Sequence, residues 1–303
     1  MEITPFAEEH LDAAAELLAE RHGRHLGAEP LLPAEVDYRA EIAALLDDGG
    51  SGAFTDGAYV LGRPHSPELW GPNIWVDAAG HATRDPELLR NVWAEAAAGW
   101  LEQGVRAHYA LVPATDSPLV DAWFRLGFGA QQAYGVMEIP EGEWPRGVRE
   151  ATEADIEELV EIGPLLSQHQ RSSPVFSSVP EQDAEAVRAD VLDDFADENI
   201  VNLVYELDGR IVANFCVCPL PSSDDHKWLA RQSAAFIPFA VTELELRGRG
   251  AGCALTDAAF AWARGRGHET IVADWRVTNL SASRFWPKRG FRTSFVRVHR
   301  WIG

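Results

Sequence analysis

Shifted by 163 residues, the chain lies over itself. Arg84 falls on Arg247, Gly104 on Gly267, Asp116 on Asn279, Trp123 on Trp286, and the pair Gly127-Phe128 on Gly290-Phe291. No gap is needed between these positions, and coincidence supplies one or two such matches rather than a set in register. Each copy reads in the same order: an apolar strand, a loop, a helix ending in glycine, a strand, a short helix carrying Trp, then Gly-Phe and a closing strand. At 303 residues the chain is also long for one core, so two domains are expected. Turn residues gather in Ile139-Pro-Glu-Gly-Glu-Trp-Pro-Arg-Gly147, which sets the expected domains at 1–142 and 143–303.

In the second domain, periodicity predicts a strand over Val148–Ala151 and a helix over Asp155–Leu166 with Ile156, Leu159, Val160 and Ile162 on its apolar face. A second helix is expected over Pro180–Asp197. Val201–Glu206 and Arg210–Cys218 form a hairpin about Asp208-Gly209, where a turn with positive φ suits Asp-Gly. Ser233–Val241 is the fourth strand. The helix that follows carries Leu255, Ala258, Ala259 and Trp262 on one face and ends at Gly265 or Gly267. Ile271–Trp275 and Thr293–Trp301 are strands, with a short helix over Ala282–Lys288 between them.

Charge excludes some partners. The net charge of -21 argues against nucleic acid, whose phosphates need a basic surface. Residues 1–145 carry 8 Arg/Lys against 24 Asp/Glu, residues 146–231 carry 7 against 18, but residues 232–303 carry 11 against 5. An anionic ligand would meet favourable charge in that last segment. No apolar run is long enough to span a bilayer and the start of the chain lacks a basic flank with an apolar stretch, so no membrane association and a cytoplasmic location are expected. Cys216, Cys218 and Cys253 form no disulfide framework. Without a second Cys/His pair at ligand spacing, Cys216 and Cys218 read as buried small hydrophobes and no metal is expected.

Between the fourth strand and its helix lies Arg247-Gly248-Arg249-Gly250-Ala251-Gly252. Glycines there let the backbone approach a ligand and turn N–H groups toward one point at a helix N-terminus, where the helix dipole favours anions. One strand and one loop later comes Asn279-Leu-Ser-Ala282-Ser-Arg-Phe285-Trp286-Pro-Lys288-Arg-Gly290-Phe291. The two segments together resemble the GNAT acetyltransferase superfamily, whose signatures are Q/R-x-x-G-x-G/A and N-x-x-A-x-x-F/Y-Y-x-x-x-G-F.

That resemblance implies an α/β fold (α+β, mixed sheet): two tandem domains, each a central mixed, mostly antiparallel sheet flanked by helices. It also implies acetyl-CoA, or another acyl-CoA, as co-substrate. The fourth and fifth strands would splay at a bulge so that the pantetheine arm lies along Ala240, Val241 and Thr242. Asn279 would bond the arm's amides, Phe285 would pack on it, and Arg247, Gly248, Arg249, Gly250, Ala251 and Gly252, with Lys288, would meet the phosphates. Asn279 also suits a helix N-cap. The N–H near Val241 would bind the thioester oxygen, and Asp274 is the expected base by the same resemblance. Glu243 and Glu245 are alternatives. Trp286 stands where the family often has a tyrosine acid, and an indole N–H cannot serve as one; Ser281, Ser283 and His299 are candidate substitutes.

The first copy has Arg84-Asp85-Pro86-Glu87 where the second has its glycines. Two acids and a proline remove N–H groups and repel phosphate, so no CoA site is expected there. Trp70, Trp75, Trp93, Trp100 and Trp123 suggest a packing role instead. Expected acceptors are cationic amines, either a small molecule or a protein amine, in a monomer or homodimer. His169, Phe176, Tyr205 and Trp228 are candidates for the acceptor pocket. A non-catalytic acyl-CoA sensor on the same fold is the alternative.

Overall fold

The structure, a computed structural model, describes residues 2–177, 183–221, 226–231 and 233–303. In chain order its elements are β1 (Thr4–Pro5), α1 (Leu11–Ala28), α2 (Tyr38–Asp47), β2 (Ser51–Thr55), β3 (Ala58–Gly62), α3 (Pro67–Trp70), β4 (Asn73–Val76), β5 (His81–Thr83), α4 (Pro86–Glu102), β6 (Ala107–Pro113), α5 (Ser117–Arg125) and β7 (Gly129–Glu138). There follow β8 (Val148–Glu150), α6 (Ile156–Ile162), α7 (Pro164–Arg171), α8 (Ala184–Ala196), β9 (Val201–Leu207), β10 (Arg210–Pro219), β11 (Ala235–Thr242), α9 (Ala251–Gly265), β12 (Thr270–Arg276), α10 (Ala282–Lys288) and β13 (Arg292–Trp301). The 163-residue shift carries β6 onto β12 and β7 onto β13 end for end. Among the described residues, no helix is long and apolar enough to cross a membrane.

Two compact units result, and they divide the chain differently from the linear cut expected between 142 and 143. The last strand belongs with the first unit: β13 pairs antiparallel with β6, from Phe295 opposite Pro113 to Trp301 opposite Ala107. Conversely, β7 leaves the first unit at Ala133 and its second half belongs to the second, where β7 neighbours β12 and Gly135 lies against the Trp275 ring. The two copies have exchanged their closing strands.

The first unit holds the antiparallel sheet β1-β2-β3-β5 and the parallel pair β4-β6. Its core is built on α4, which is started by the Asp85 side chain accepting from Glu87 N and by Pro86 at its first position. The buried face of α4 presents Leu89, Val92, Trp93 and Trp100 to Val60, Val76, Val112 and Trp123. Trp75 and Tyr109 form a smaller cluster with Trp70. Four of the five tryptophans expected to fill this copy are thus buried.

In the second unit the strand order is β12-β11-β10-β9-β8, antiparallel except for β11 with β12. The β9–β10 turn is made by Asp208 and Gly209, both at positive φ, as the sequence predicts. The helix expected over Asp155–Leu166 is instead two helices. Pro164 has no N–H to continue α6 and begins α7, while Val187 of α8 packs so close to Gly163 that a Cβ there would sit 2.6 Å from its Cγ1. The helix expected from Pro180 runs over Ala184–Ala196, capped by Asp183; residues 180–182 lie outside the described residues. Cys216 is buried and Cys218 half-buried.

Candidate functional site

Strands β11 and β12 are paired only from Ala235 opposite Ile271 to Ile237 opposite Ala273. Beyond that, β11 keeps its partner β10 through Phe239, Ala240, Val241 and Thr242, and a register shift between Cys216 and Cys218 puts the extra β11 residue at Ile237-Pro238. Proline cannot donate to a ladder, so the bulge and the end of pairing fall together. The β12-facing edge of Phe239–Thr242 is left for another strand-like partner. In the first unit the matching pair β4-β6 runs without interruption from Asn73 opposite Ala107 to Val76 opposite Ala110.

From Thr242 the chain turns through Glu243–Leu246 into the glycine loop. Gly248 and Gly250 sit at φ +78° and +99°, which a side chain resists, and Gly250 is the residue before α9. No side chain among the described residues caps α9, so the first N–H groups, of Ala251, Gly252 and Cys253, point out of the helix start. Arg247 donates from Nε to the Thr242 carbonyl at 3.3 Å and has no carboxylate partner among the described residues. Burial holds its pKa below the usual arginine value. A half-buried guanidinium with no counter-ion among the described residues, on the same loop as uncapped N–H groups, has the chemistry that suits an anion.

The third wall comes from α10 and the loop before it. Asn279 caps α10: its Oδ1 accepts from Ser281 N and Ala282 N, each at 3.2 Å. At 3.4 Å from the same oxygen lies His169 Nε2, in the last turn of α7. Trp286 is 4% exposed and packs edge-on to Phe285 and Phe291 at 5.0 and 5.2 Å, and against Phe215 at 5.9 Å. Phe215 lies opposite Ala240 on β10.

These parts enclose one cavity of about 410 Å³. Of the residues singled out in the sequence, Ala240, Val241, Thr242, Arg247, Gly248, Gly250, Ala251, Gly252, Asn279, Phe285 and Trp286 line it, as do His169 and Ser281. Arg249 and Lys288 are exposed and outside the lining. Asp274, half-buried on β12, also lies outside the lining. Glu243 is instead held by Arg210 in a two-bonded ion pair. His299 stacks on Tyr109 at 4.5 Å in the first unit, and Trp228 packs against His22 at 5.2 Å there; neither reaches this cavity. Phe176 is 72% exposed, and Tyr205 on β9 is also outside the lining. Leu166, Phe215, Leu246, Cys253 and Ala282 line the cavity without having been singled out. Phe215 was within reach, because strand alternation on β10 points it to the face that Ala240 shares.

The same positions in the first copy are arranged for packing. Arg84 is tied to Glu20 by two hydrogen bonds, 3.0 and 2.6 Å. Asp85 N is bonded to Thr83 Oγ1, Glu87 N to Asp85 Oδ1, and Pro86 offers no donor. Asp116 caps α5 through Leu119 N, as Asn279 caps α10 through Ala282 N, one shift of 163 residues away.

The model of the acetyltransferase (GNAT) family matches residues 165–291. By structure, the chain is similar to a GCN5-related N-acetyltransferase from Sphaerobacter thermophilus, with TM-score 0.61 and 14% identity over 99% of this chain and 95% of that one. A tandem GNAT protein from the clavulanic acid biosynthesis pathway is similar with TM-score 0.52 and 14% identity over 100% and 98%. A glucosamine N-acetyltransferase region of a fungal multi-domain GH3 β-N-acetylglucosaminidase gives TM-score 0.59 and 13% identity, covering 99% of this chain and 38% of that one. At such identities the likeness is of fold, and it extends over both copies. No curated protein matches the chain by sequence.

Proposed function

Since residues 165–291 match the model of the acetyltransferase (GNAT) family, we propose that this protein moves an acyl group, most simply acetyl, from acyl-CoA to a cationic primary amine by direct attack in a ternary complex. The observation that carries the proposal is the union, in one cavity, of an unpaired β11 edge, an uncapped α9 start with an unneutralised Arg247, and Asn279. The pantetheine amides match the hydrogen-bonding groups of a strand edge, and the pyrophosphate matches Arg247 and the N–H groups from Ala251 to Cys253. Asn279 uses its oxygen as a cap, so its Nδ2 is the atom available to a pantetheine carbonyl. Phe285 supplies an apolar wall against the arm.

The backbone at Val241 is assigned the developing oxyanion. Trp286 shapes the acyl end and donates no proton. Asp274, outside the lining, reaches the amine only through water. The acidic surface beyond residues 232–303 draws cations, which is the argument for a polyamine, an aminoglycoside-like amine or a protein amine as acceptor. Titration calorimetry tests the site: the native chain is expected to bind CoA with micromolar affinity, and an Arg247→Glu/Gly250→Asp variant to lose it. Equal affinities would remove the assignment. Thiol release from acetyl-CoA across a panel of amines tests the transfer. Binding with no release for any amine is what a sensor does, and the place of Trp286 favours that second reading.

A further inference from the structure

We infer that His169 is the base that accepts the amine's proton through Nδ1, with its ring oriented by Asn279. The assignment rests on the acyl-transfer reading above. Among the described residues lining the cavity, the ionisable side chains are His169, Arg247 and Cys253. Arginine does not give up its proton. Cys253 sits at the start of α9, with the N–H groups assigned to phosphate. Imidazole is the side chain that both takes and gives protons near neutrality.

The hydrogen bonds around Asn279 fix which nitrogen does so. Its Oδ1 accepts from two backbone N–H groups, which identifies that atom as the amide oxygen. His169 Nε2, at 3.4 Å from the same oxygen, must then carry the ring hydrogen. The neutral ring keeps its lone pair on Nδ1, which has no hydrogen-bond partner among the described residues. A base whose tautomer is set by a third group is the arrangement that activates nucleophiles elsewhere.

The placement of this histidine follows from the helix break at Gly163-Pro164, which makes α7 a separate helix packed on β11. From Ala235 to Thr242, β11 carries no ionisable side chain. Helix α6 also packs on α7 and carries Glu157, Glu158 and Glu161; α8, whose Val191 and Phe195 share a cluster with Leu165 and Leu166, carries Asp190, Asp193 and Asp194. Of these, Glu157 is paired with Arg188 and Glu158 accepts from Ile211 N. Arg171 lies on α7 itself, Arg247 on the cavity wall, Arg276 at the end of β12, and Glu243 with its partner Arg210 beyond the end of β11.

The step balances. The reacting nitrogen first gives its ammonium proton to bulk water; its lone pair then forms the C–N bond at the thioester carbon, and the excess N–H proton passes to Nδ1. The C–S bond breaks with its electron pair on sulfur, and the imidazolium returns the proton to the thiolate. Amide and free CoA leave, and the ring is neutral again.

The test uses acetyl-CoA with spermidine, kanamycin and a lysine peptide, and takes the fastest acceptor. His169→Gln and His169→Gly are expected to lose about 100-fold in kcat, with CoA affinity by calorimetry within about twofold of the native chain. Added imidazoles are expected to restore the rate of His169→Gly, in order of their basicity, which a merely structural role would not allow. Native turnover with an unaffected His169→Gln overturns this assignment alone. So does an acidic limb of the pH profile that vanishes in Asp274→Asn but persists in His169→Gln. Silence of the native chain on every amine, with CoA binding intact, overturns the transfer reading and this assignment with it.

Discussion

Trp286 is understood best beside its counterpart. Trp123 is fully buried and meets Phe128 at 4.9 Å and 79°, while Trp286 meets Phe291 at 5.2 Å and 83°. The same ring pair closes both copies, so the indole is there for the core. Replacing either tryptophan by alanine is expected to cost about 3–5 kcal/mol, read from denaturant unfolding; a cost below about 1 kcal/mol at Trp286 would leave the indole a role other than packing. Histidines make the first unit sensitive to acid. His81 donates from Nε2 to the Leu111 carbonyl and His25 to that of Ser294, and burial lowers both pKa values from 6.5 to about 3, with Arg21 adding repulsion. Between pH 6.5 and about 3 the unfolded chain binds these protons and the folded one does not. Stability is therefore full above pH 6.5 and falls on acidification, by up to about 1.4 kcal/mol per pH unit for each histidine. Urea unfolding at pH 7, 5 and 4 measures the slope; a flat profile would mean that the rings are protonated in the folded state.

Elements show how the two copies differ at matching positions while keeping one fold. Helices α4 and α9 begin within two residues of equivalent places, but α4 spends its first donors on Asp85 and replaces one with Pro86, whereas α9 leaves its donors uncapped after Gly250 among the described residues. The break between α6 and α7 carries a separate prediction. Gly163→Ala forces its Cβ onto Val187 and is expected to destabilise the second unit by about 1–3 kcal/mol, seen as a lower unfolding midpoint; an unchanged midpoint would mean that α8 shifts freely. Pro164 marks this break in the sequence, but the apolar spacing from Ile156 to Ile162 suggests one continuous helix, and Val187 pressing from outside leaves no local sign. By contrast, the strands, the hairpin at Asp208-Gly209 and the cavity walls were legible, since alternation and glycine placement are local. The pairing of Glu243 with Arg210, and of His299 with Tyr109, were not, because each depends on residues far away in sequence.

At the scale of the molecule, duplication was readable and strand exchange was not. A repeat tells which strands are equivalent, but either closing strand fits beside either β6 or β12, so no local pattern decides between them. Removing Thr293–Gly303 is thus expected to damage the first unit. Hydrogen exchange should lose protection in β6, and the Trp93 side should lose its contact with Arg300. Protection lost only from β12 would contradict the exchange. The feature also bears on how the protein is made. During synthesis β6 emerges nearly 200 residues before the segment that covers its edge. Until β13 has left the ribosome, that edge stays open to any passing strand, so the nascent chain carries an unpaired edge through the synthesis of the whole second unit.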